Sequence, residues 1–480
     1  MKKIAIAVFL VVLLSTSNAY AINWQSTSTL GKQNTNIIID VGVLRFLEET
    51  ETYERFDAFV RLTAGESVFT SEIFESVRAV DVNLTCTIPV SLDHVTVVFE
   101  AFVLDEQHTE VMLDLDADNG IGAAVVEFDV RTGLWSGEDF LGDMSGVGRL
   151  NGCDDGSLNR CEGDVELFFD IYVDECDGDG VPDWAEQELL GTNPCFDDSL
   201  RDDDGDGVPL WWEYRFGFDP FVFEDHSILD LDDDGLNNVE EFMTAQWGSD
   251  PYRDDIFLEL DQMQKGPDGE GYFMPEQSKE MLVEPFHRRN IVYHIDDGCM
   301  GGGELIPFEQ ISWMSNDKSL YADYFLHGDE QNWRRGVFHW GLVTYDHRPR
   351  LLKGYAFQGE SVLSGSVREG RNCFIVSSKS LMQKAGPGWP PCSFELAFAS
   401  AVMHEFGHGL GILGSDVPGC DNQKSRTIFG IGFWLYGNYK SCMNYRYCYR
   451  MLDYSDGSHG WGDFDDWNFI ELGCFQEPFN

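Results

Sequence analysis

His404-Glu405-Phe406-Gly407-His408 sets two imidazoles four residues apart, with a carboxylate directly after the first. On a helix, positions i and i+4 lie one above the other, so both rings can reach one metal ion while Glu405, one step round, faces a water on that ion. The chemistry of such a set is metal-assisted hydrolysis, with zinc as the ion, the water as nucleophile and Glu405 as its general base. The bland alternative is an amphipathic helix with two core histidines. It leaves two buried rings and a glutamate each needing a partner. Three residues after His408 stands Gly411, a residue tolerant of positive φ where a helix must stop and swing a further ligand inward.

A second chemistry is written between residues 174 and 255, where 26 Asp and Glu face three Arg and no Lys. That excess is 23 of the chain's 52 surplus negative charges, and so dense a segment repels itself unless cations neutralise it. Asp202, Asp204 and Asp206, then Gly207, Val208 and Glu213 occupy positions 1, 3, 5, 6, 7 and 12 of a calcium loop. Asp230, Asp232, Asp234, Gly235 and Glu241 repeat the pattern. An earlier copy holds Asp177, Asp179, Asp183 and Glu186, with Glu175 where the first aspartate is expected. A random acidic run would not return glycine to position 6 and glutamate to position 12, so two or three structural Ca²⁺ ions are expected. The spacing of these loops resembles the thrombospondin type 3 and dockerin-like calcium repeats of secreted proteins, which implies a stiff, calcium-ordered connector over residues 174–251.

The elements that must position the histidines follow from Tyr252 onward. Asp255 to Asp261 reads as a buried strand, Glu276 to Arg289 as a helix and Ile291 to Ile295 as a second strand, a unit that favours a parallel pair with a crossover. Val337 to Tyr345 and Cys373 to Ser378 supply further strands, and a helix opens after Pro390-Pro391 and Ser393. Residues 22–173 carry short β-branched and aromatic runs with period-two alternation, which favours an all-β sandwich. Lys2, Lys3, the apolar run to Leu14 and Ala19-Tyr20-Ala21 read as a signal peptide over residues 1–21. Twelve cysteines in an exported chain favour disulfides, with Cys153–Cys161 and Cys442–Cys448 close enough to pair locally. The charge of −52 excludes a nucleic-acid surface, and no later segment is long and apolar enough to span a membrane.

The order of these elements, His404-Glu405-x-x-His408-x-x-Gly411 and then Ser441-Cys442-Met443-Asn444-Tyr445 resembles the metzincin clan of zinc endopeptidases over about residues 252–470. Asp297-Gly298, Gly301-Gly302-Gly303-Glu304 and Met443 to Tyr447 are similar to its secreted, pappalysin-like prokaryotic branch. The resemblance implies an α/β catalytic domain over 252–480, Met443 in the turn beneath the metal and Tyr445 directed at the site. The clan places a third His or Asp three residues after the glycine. Here that position is Gly414, so Asp416, two residues on, is the expected third ligand, with Asp453, Asp456 and His459 as substitutes. The expected protein is a secreted or periplasmic zinc endopeptidase with one catalytic Zn²⁺, acting on proteins or peptides. Its N-terminal domain is free for a cell-surface or matrix partner. The rival is an inactive calcium-dependent adhesion protein whose protease-like domain has lost its third ligand.

Overall fold

The computed structural model describes residues 35–47, 56–90, 93–105, 107–116, 121–137, 148–152, 163–289, 291–313, 317–348, 354–357, 373–385, 392–421 and 430–473. The proposed signal peptide, Cys153 and Cys161 lie outside them.

Between Thr35 and Val173 two antiparallel sheets share one core. The first runs in the order Gly148–Asn151, Val165–Val173, Thr35–Phe46, Ala79–Val90. The second is built on Ser67–Thr70, Phe56–Ala64, His94–Leu104, Ala124–Asp129 and Trp135–Gly137. Period-two alternation directs Ile37, Ile39 and Val41 inward from one sheet and Val95, Val97 and Phe99 from the other. Phe99 meets Phe169 across the gap at a ring separation of 4.5 Å.

The C-terminal part is an α/β layer. Its sheet runs Val292–Asp296, Asp255–Met263, Phe338–Thr344, Cys373–Ser377, Gly354–Phe357. The first four strands are parallel, and the last is antiparallel at the edge. Asp255–Met263 is buried along its whole length, as a strand covered on both faces must be. Helix Glu276–His287 makes the crossover between the first two strands. Helix Phe394–Gly409, started by the Ser393 hydroxyl accepting from the Leu396 amide, lays Phe398, Val402 and Phe406 into the same core as Leu258, Leu260 and Val376.

Between these parts lie three loop-and-helix repeats, whose helical turns start at Asp183, Leu210 and Asn238. Cys176–Cys195 is the one disulfide among the described residues, and it ties down the first repeat. The Cys442–Cys448 pairing is not formed. Both are buried thiols, and the Cys448 sulfur faces the Ser400 hydroxyl at 3.8 Å instead.

Sandwich and α/β layer meet through buried charge. Glu166, fully buried on the sandwich, accepts from Arg149 and Arg45, and Arg149 reaches across to the His287 carbonyl at 3.2 Å. Arg78 pairs with Glu284 on the crossover helix. The Tyr293 amide donates to His287 Nε2 at 3.2 Å, while Nδ1 faces both the Arg45 guanidinium and, at 3.4 Å, the Glu166 carboxylate. Burial, and then the Arg45 charge, lower the His287 pKa from 6.5 to about 3. The unfolded chain takes up a proton below pH 6.5 that the folded chain refuses. This contribution to stability is therefore complete above 6.5 and is lost as pH falls toward 3. His287→Gln should remove a slope of up to about 1.4 kcal/mol per pH unit between about pH 6 and 4, read from urea unfolding midpoints of the two proteins. An unchanged slope would place the titration elsewhere.

Candidate active site

Helix Phe394–Gly409 has a tightly packed spot between its two histidines. A methyl added at Gly407 would lie 2.6 Å from the Met443 sulfur and 2.9 Å from the Tyr454 ring, so only glycine lets the turn carrying Met443 close beneath the helix. That turn orients the first histidine, whose Nδ1–H donates to the Cys442 carbonyl at 2.9 Å. His408 Nδ1–H donates to the Ile412 carbonyl at 2.7 Å, just past Gly411, which takes φ +102°. With both Nδ1 protons committed to backbone carbonyls, both Nε2 lone pairs are free to face a metal.

What they face is Asp421. Its carboxylate oxygens lie 3.4 Å from His404 Nε2 and 3.9 Å from His408 Nε2, and one ligand atom from each of the three residues falls within 4.8 Å of the others. Asp421 is reached after a single turn closed by the Val417 amide on the Leu413 carbonyl, and its own amide donates to the Met443 carbonyl at 3.0 Å. The turn carrying Met443 therefore anchors Asp421 as well as His404.

The structure does not bring Asp416 to the histidines, and it does not bring the substitutes there either. Asp416 projects into solvent from the outside of that single turn, because Val417 beside it is buried, and its carboxylate accepts from the Ser415 hydroxyl. Asp453 is held by Arg288 and the Trp467 indole, each at 3.0 Å, while Asp456 and His459 gather with Asp463 in a separate group. Sequence spacing missed Asp421 because a loop eight residues on from Leu413 carries it. The one local signal is the pair of positive φ values at Gly419 and Asp421 that folds the chain back.

The electrostatics fit a cation between these groups. Burial favours neutral rings, but Asp421 and Glu405 raise the His404 pKa to about 9, while burial and the His404 charge lower His408 to about 4. Although burial opposes it, the hydrogen bond to His404 and the imidazole charges hold Asp421 well below the usual carboxylate range. His404, His408 and Asp421 would offer two nitrogens and one oxygen to a zinc ion, which would supply Lewis-acid chemistry there. Glu405 lies next along the helix and is almost fully buried. The Tyr445 ring stacks on His404 at 5.3 Å, with its hydroxyl bonded to Asp421.

The three acidic loops share one backbone pattern. The position-1 carboxylate accepts from the amides of positions 4 and 6: Asp202 from Gly205 and Gly207, Asp230 from Asp233 and Gly235, and Glu175 from Gly178 and Gly180. Glu175 with its longer arm therefore does what aspartate does in the other copies. The position-5 carboxylate accepts from position 7, pairing Asp179 with Val181, Asp206 with Val208 and Asp234 with Leu236. Inside the loops, Asp179 Oδ2, both Glu213 oxygens, Asp232 Oδ2 and Glu241 Oε1 are buried with no hydrogen-bond partner. Burial and the neighbouring carboxylates raise Glu186 to about 7 and Glu213 and Asp232 to about 8. Orphaned, mutually repelling oxygens turned to one point are what a divalent cation satisfies. Asp183 takes a different part, accepting from the Cys176 amide at 3.0 Å. Sequence reading also missed a donor placed 12, 13 and 14 residues after Glu186, Glu213 and Glu241: Asp198, His226 and Asp255. Asp198 and His226 close the first two clusters, and Asp255 stands against Asp234 and Glu241 in the third.

No family model matches the chain, and no curated protein matches it. Among solved structures, human GIVD cytosolic phospholipase A2 matches with a TM-score of 0.20 at 11% identity, over 30% of this chain and 17% of that one, so the match spans less than a fifth of that enzyme. A C2 domain matches with a TM-score of 0.19 at 9% identity over 29% and 97% of the two chains. A second such domain, from plant Extended Synaptotagmin 1, matches with a TM-score of 0.19 at 10% identity over 29% and 96%. Likenesses this slight carry no argument about activity. Among the described residues no helix is long and apolar enough to cross a membrane.

Two measurements check this geometry. Elemental analysis should find zinc lost from Asp421→Ala and retained in Asp416→Ala; the reverse would restore Asp416 as the ligand. Chelation of calcium should lower the melting temperature, and added Ca²⁺ should restore it. Unchanged melting would remove the cation from the loops.

Proposed function

We propose that the chain is an exported zinc endopeptidase whose site is His404, His408 and Asp421 with Glu405 as general base. The observation that carries the reading is the convergence of two imidazoles, each fixed by a backbone carbonyl, on one carboxylate, with a glutamate adjacent. Zinc held there supplies electrophilic polarisation of a carbonyl oxygen and of a water. Glu405 takes a proton from the attacking water as the new C–O bond forms, then delivers it to the amide nitrogen as the C–N bond breaks. Tyr445, released from Asp421, donates its hydroxyl to the oxyanion that develops on the former carbonyl. The antiparallel edge strand Gly354–Phe357 pairs only with Cys373–Ser377 among the described residues and packs beside the helix of the site. An extended substrate adding by backbone hydrogen bonds to the side that pairs with no strand among the described residues would align a peptide rather than a small ester.

Ca²⁺ in the acidic repeats, residues 174–251, stiffens the connector. The N-terminal sandwich remains available for a cell-surface or matrix partner. The competing reading, an inactive adhesion protein, drew its motive from Gly414 at the expected ligand position. Asp421 beside both histidines supports the catalytic reading instead.

Glu405→Gln should keep its zinc and lose at least about 10²-fold in kcat on a quenched-fluorescent casein. A variant with full zinc and full activity would end the assignment of the base.

A further inference from the structure

The second acidic repeat differs from its neighbours in one donor. In the slot that Asp198 fills in the first repeat and Asp255 in the third, the second carries His226. The ring is completely buried and lies edge-on to Trp212 and Phe218, both at 87°, so its orientation is set by packing. Its Nε2 has no hydrogen-bond partner and sits 3.2 Å from Asp206 Oδ2. Glu213, also buried, turns both carboxylate oxygens into the same space without a partner. Ligand atoms of Asp206, Glu213 and His226 lie within 4.8 Å of one another.

The other ring nitrogen decides the tautomer. His226 Nδ1 lies 2.8 Å from the Asn238 side-chain amide, whose own oxygen is buried and unpartnered. The two ends of an amide are alike in shape. As placed, the amide NH₂ donates to Nδ1 and the ring proton sits on Nε2 facing Asp206; with the two ends exchanged, the oxygen accepts from an Nδ1–H and the Nε2 lone pair is freed for a cation held by the carboxylates. A ring oriented by an amide oxygen on one nitrogen and presenting a lone pair on the other is prepared as a metal ligand.

We propose that the second repeat is a mixed nitrogen–oxygen site that selects a first-row transition-metal dication, zinc foremost, over Ca²⁺. Calcium prefers oxygen throughout, as the first and third repeats supply it, whereas imidazole with carboxylates suits zinc and its neighbours and binds them far more strongly. This site is remote in sequence from His404 and His408 and stands whether or not the chain is a peptidase.

The test uses full-length protein carrying His404→Ala and His408→Ala, which removes the other zinc position. Equilibrated with millimolar Ca²⁺ and micromolar Zn²⁺, it should hold one equivalent of zinc and one fewer calcium than in zinc-free buffer; adding His226→Gln should abolish the zinc and restore the calcium. No zinc in the double variant, or zinc retained after His226→Gln, would overturn the site and leave His226 as a hydrogen-bond donor to Asp206. A readout that does not depend on the His226 variant folding is pulsed electron paramagnetic resonance of the double variant with one equivalent of Cu²⁺. Modulation from the remote nitrogen of a coordinated imidazole is expected, and its absence would equally overturn the proposal.

Discussion

Buried carboxylates that no protein group satisfies are the constraint on which the rest of this structure depends. In the connecting repeats the position-1 and position-5 side chains use their oxygens to bend the backbone, which turns the remaining oxygens inward with nothing to meet them. Desolvation and mutual repulsion drive their pKa values toward neutrality, which is what supports the proposal of a bound cation. The consequence reaches beyond the loops. The amide of Asp255, first residue of the central strand of the α/β layer, donates to Asp234 at 2.7 Å, and a Cβ on Gly235 would run into the backbone of Gly473. The third loop thus holds the entry to one strand and the return of the C-terminal segment.

At the histidine site the same logic is met by different chemistry. Here the negative charge is a single carboxylate, the partners are nitrogens, and main-chain groups orient all three residues. The Cys442 carbonyl sets the His404 ring, the Ile412 carbonyl sets His408, and the Met443 carbonyl receives the Asp421 amide. Because the Met443 turn fits against the helix only at a glycine, the packing of sulfur on Gly407 and the placement of His404 and Asp421 are one event.

The sandwich is not a loosely tethered neighbour. Arg149 and Glu166 are both fully buried, and His287 is kept neutral between them and Arg45. Removing one partner of such a pair strands the other without solvent, which costs far more than the pair contributes while intact. The contact therefore acts chiefly as a register between the two parts.

Short-range spacing was legible in the sequence because its physics is local. Histidines four apart share a helix face, glycine at position 6 permits a bend, and alternating residues divide between two sides of a strand. Those rules are enough to mark His404, Glu405, His408 and the loop carboxylates, but they left Glu175 as a departure, and only the structure shows it accepting from the same two amides as the aspartates do. They could not mark Asp421, because its place depends on a turn, on Val417 entering the core and on an amide meeting the Met443 carbonyl, all of them contacts between segments. Asp416, nearer in sequence, is turned to solvent beside buried Val417, and Cys442 and Cys448 remain buried free thiols. His226 has no neighbouring ligand in the chain. Only when the repeats fold does its buried ring close on Asp206 and Glu213, because coordination depends on distances through space, and spacing along the chain sets those only within a turn or two of a helix.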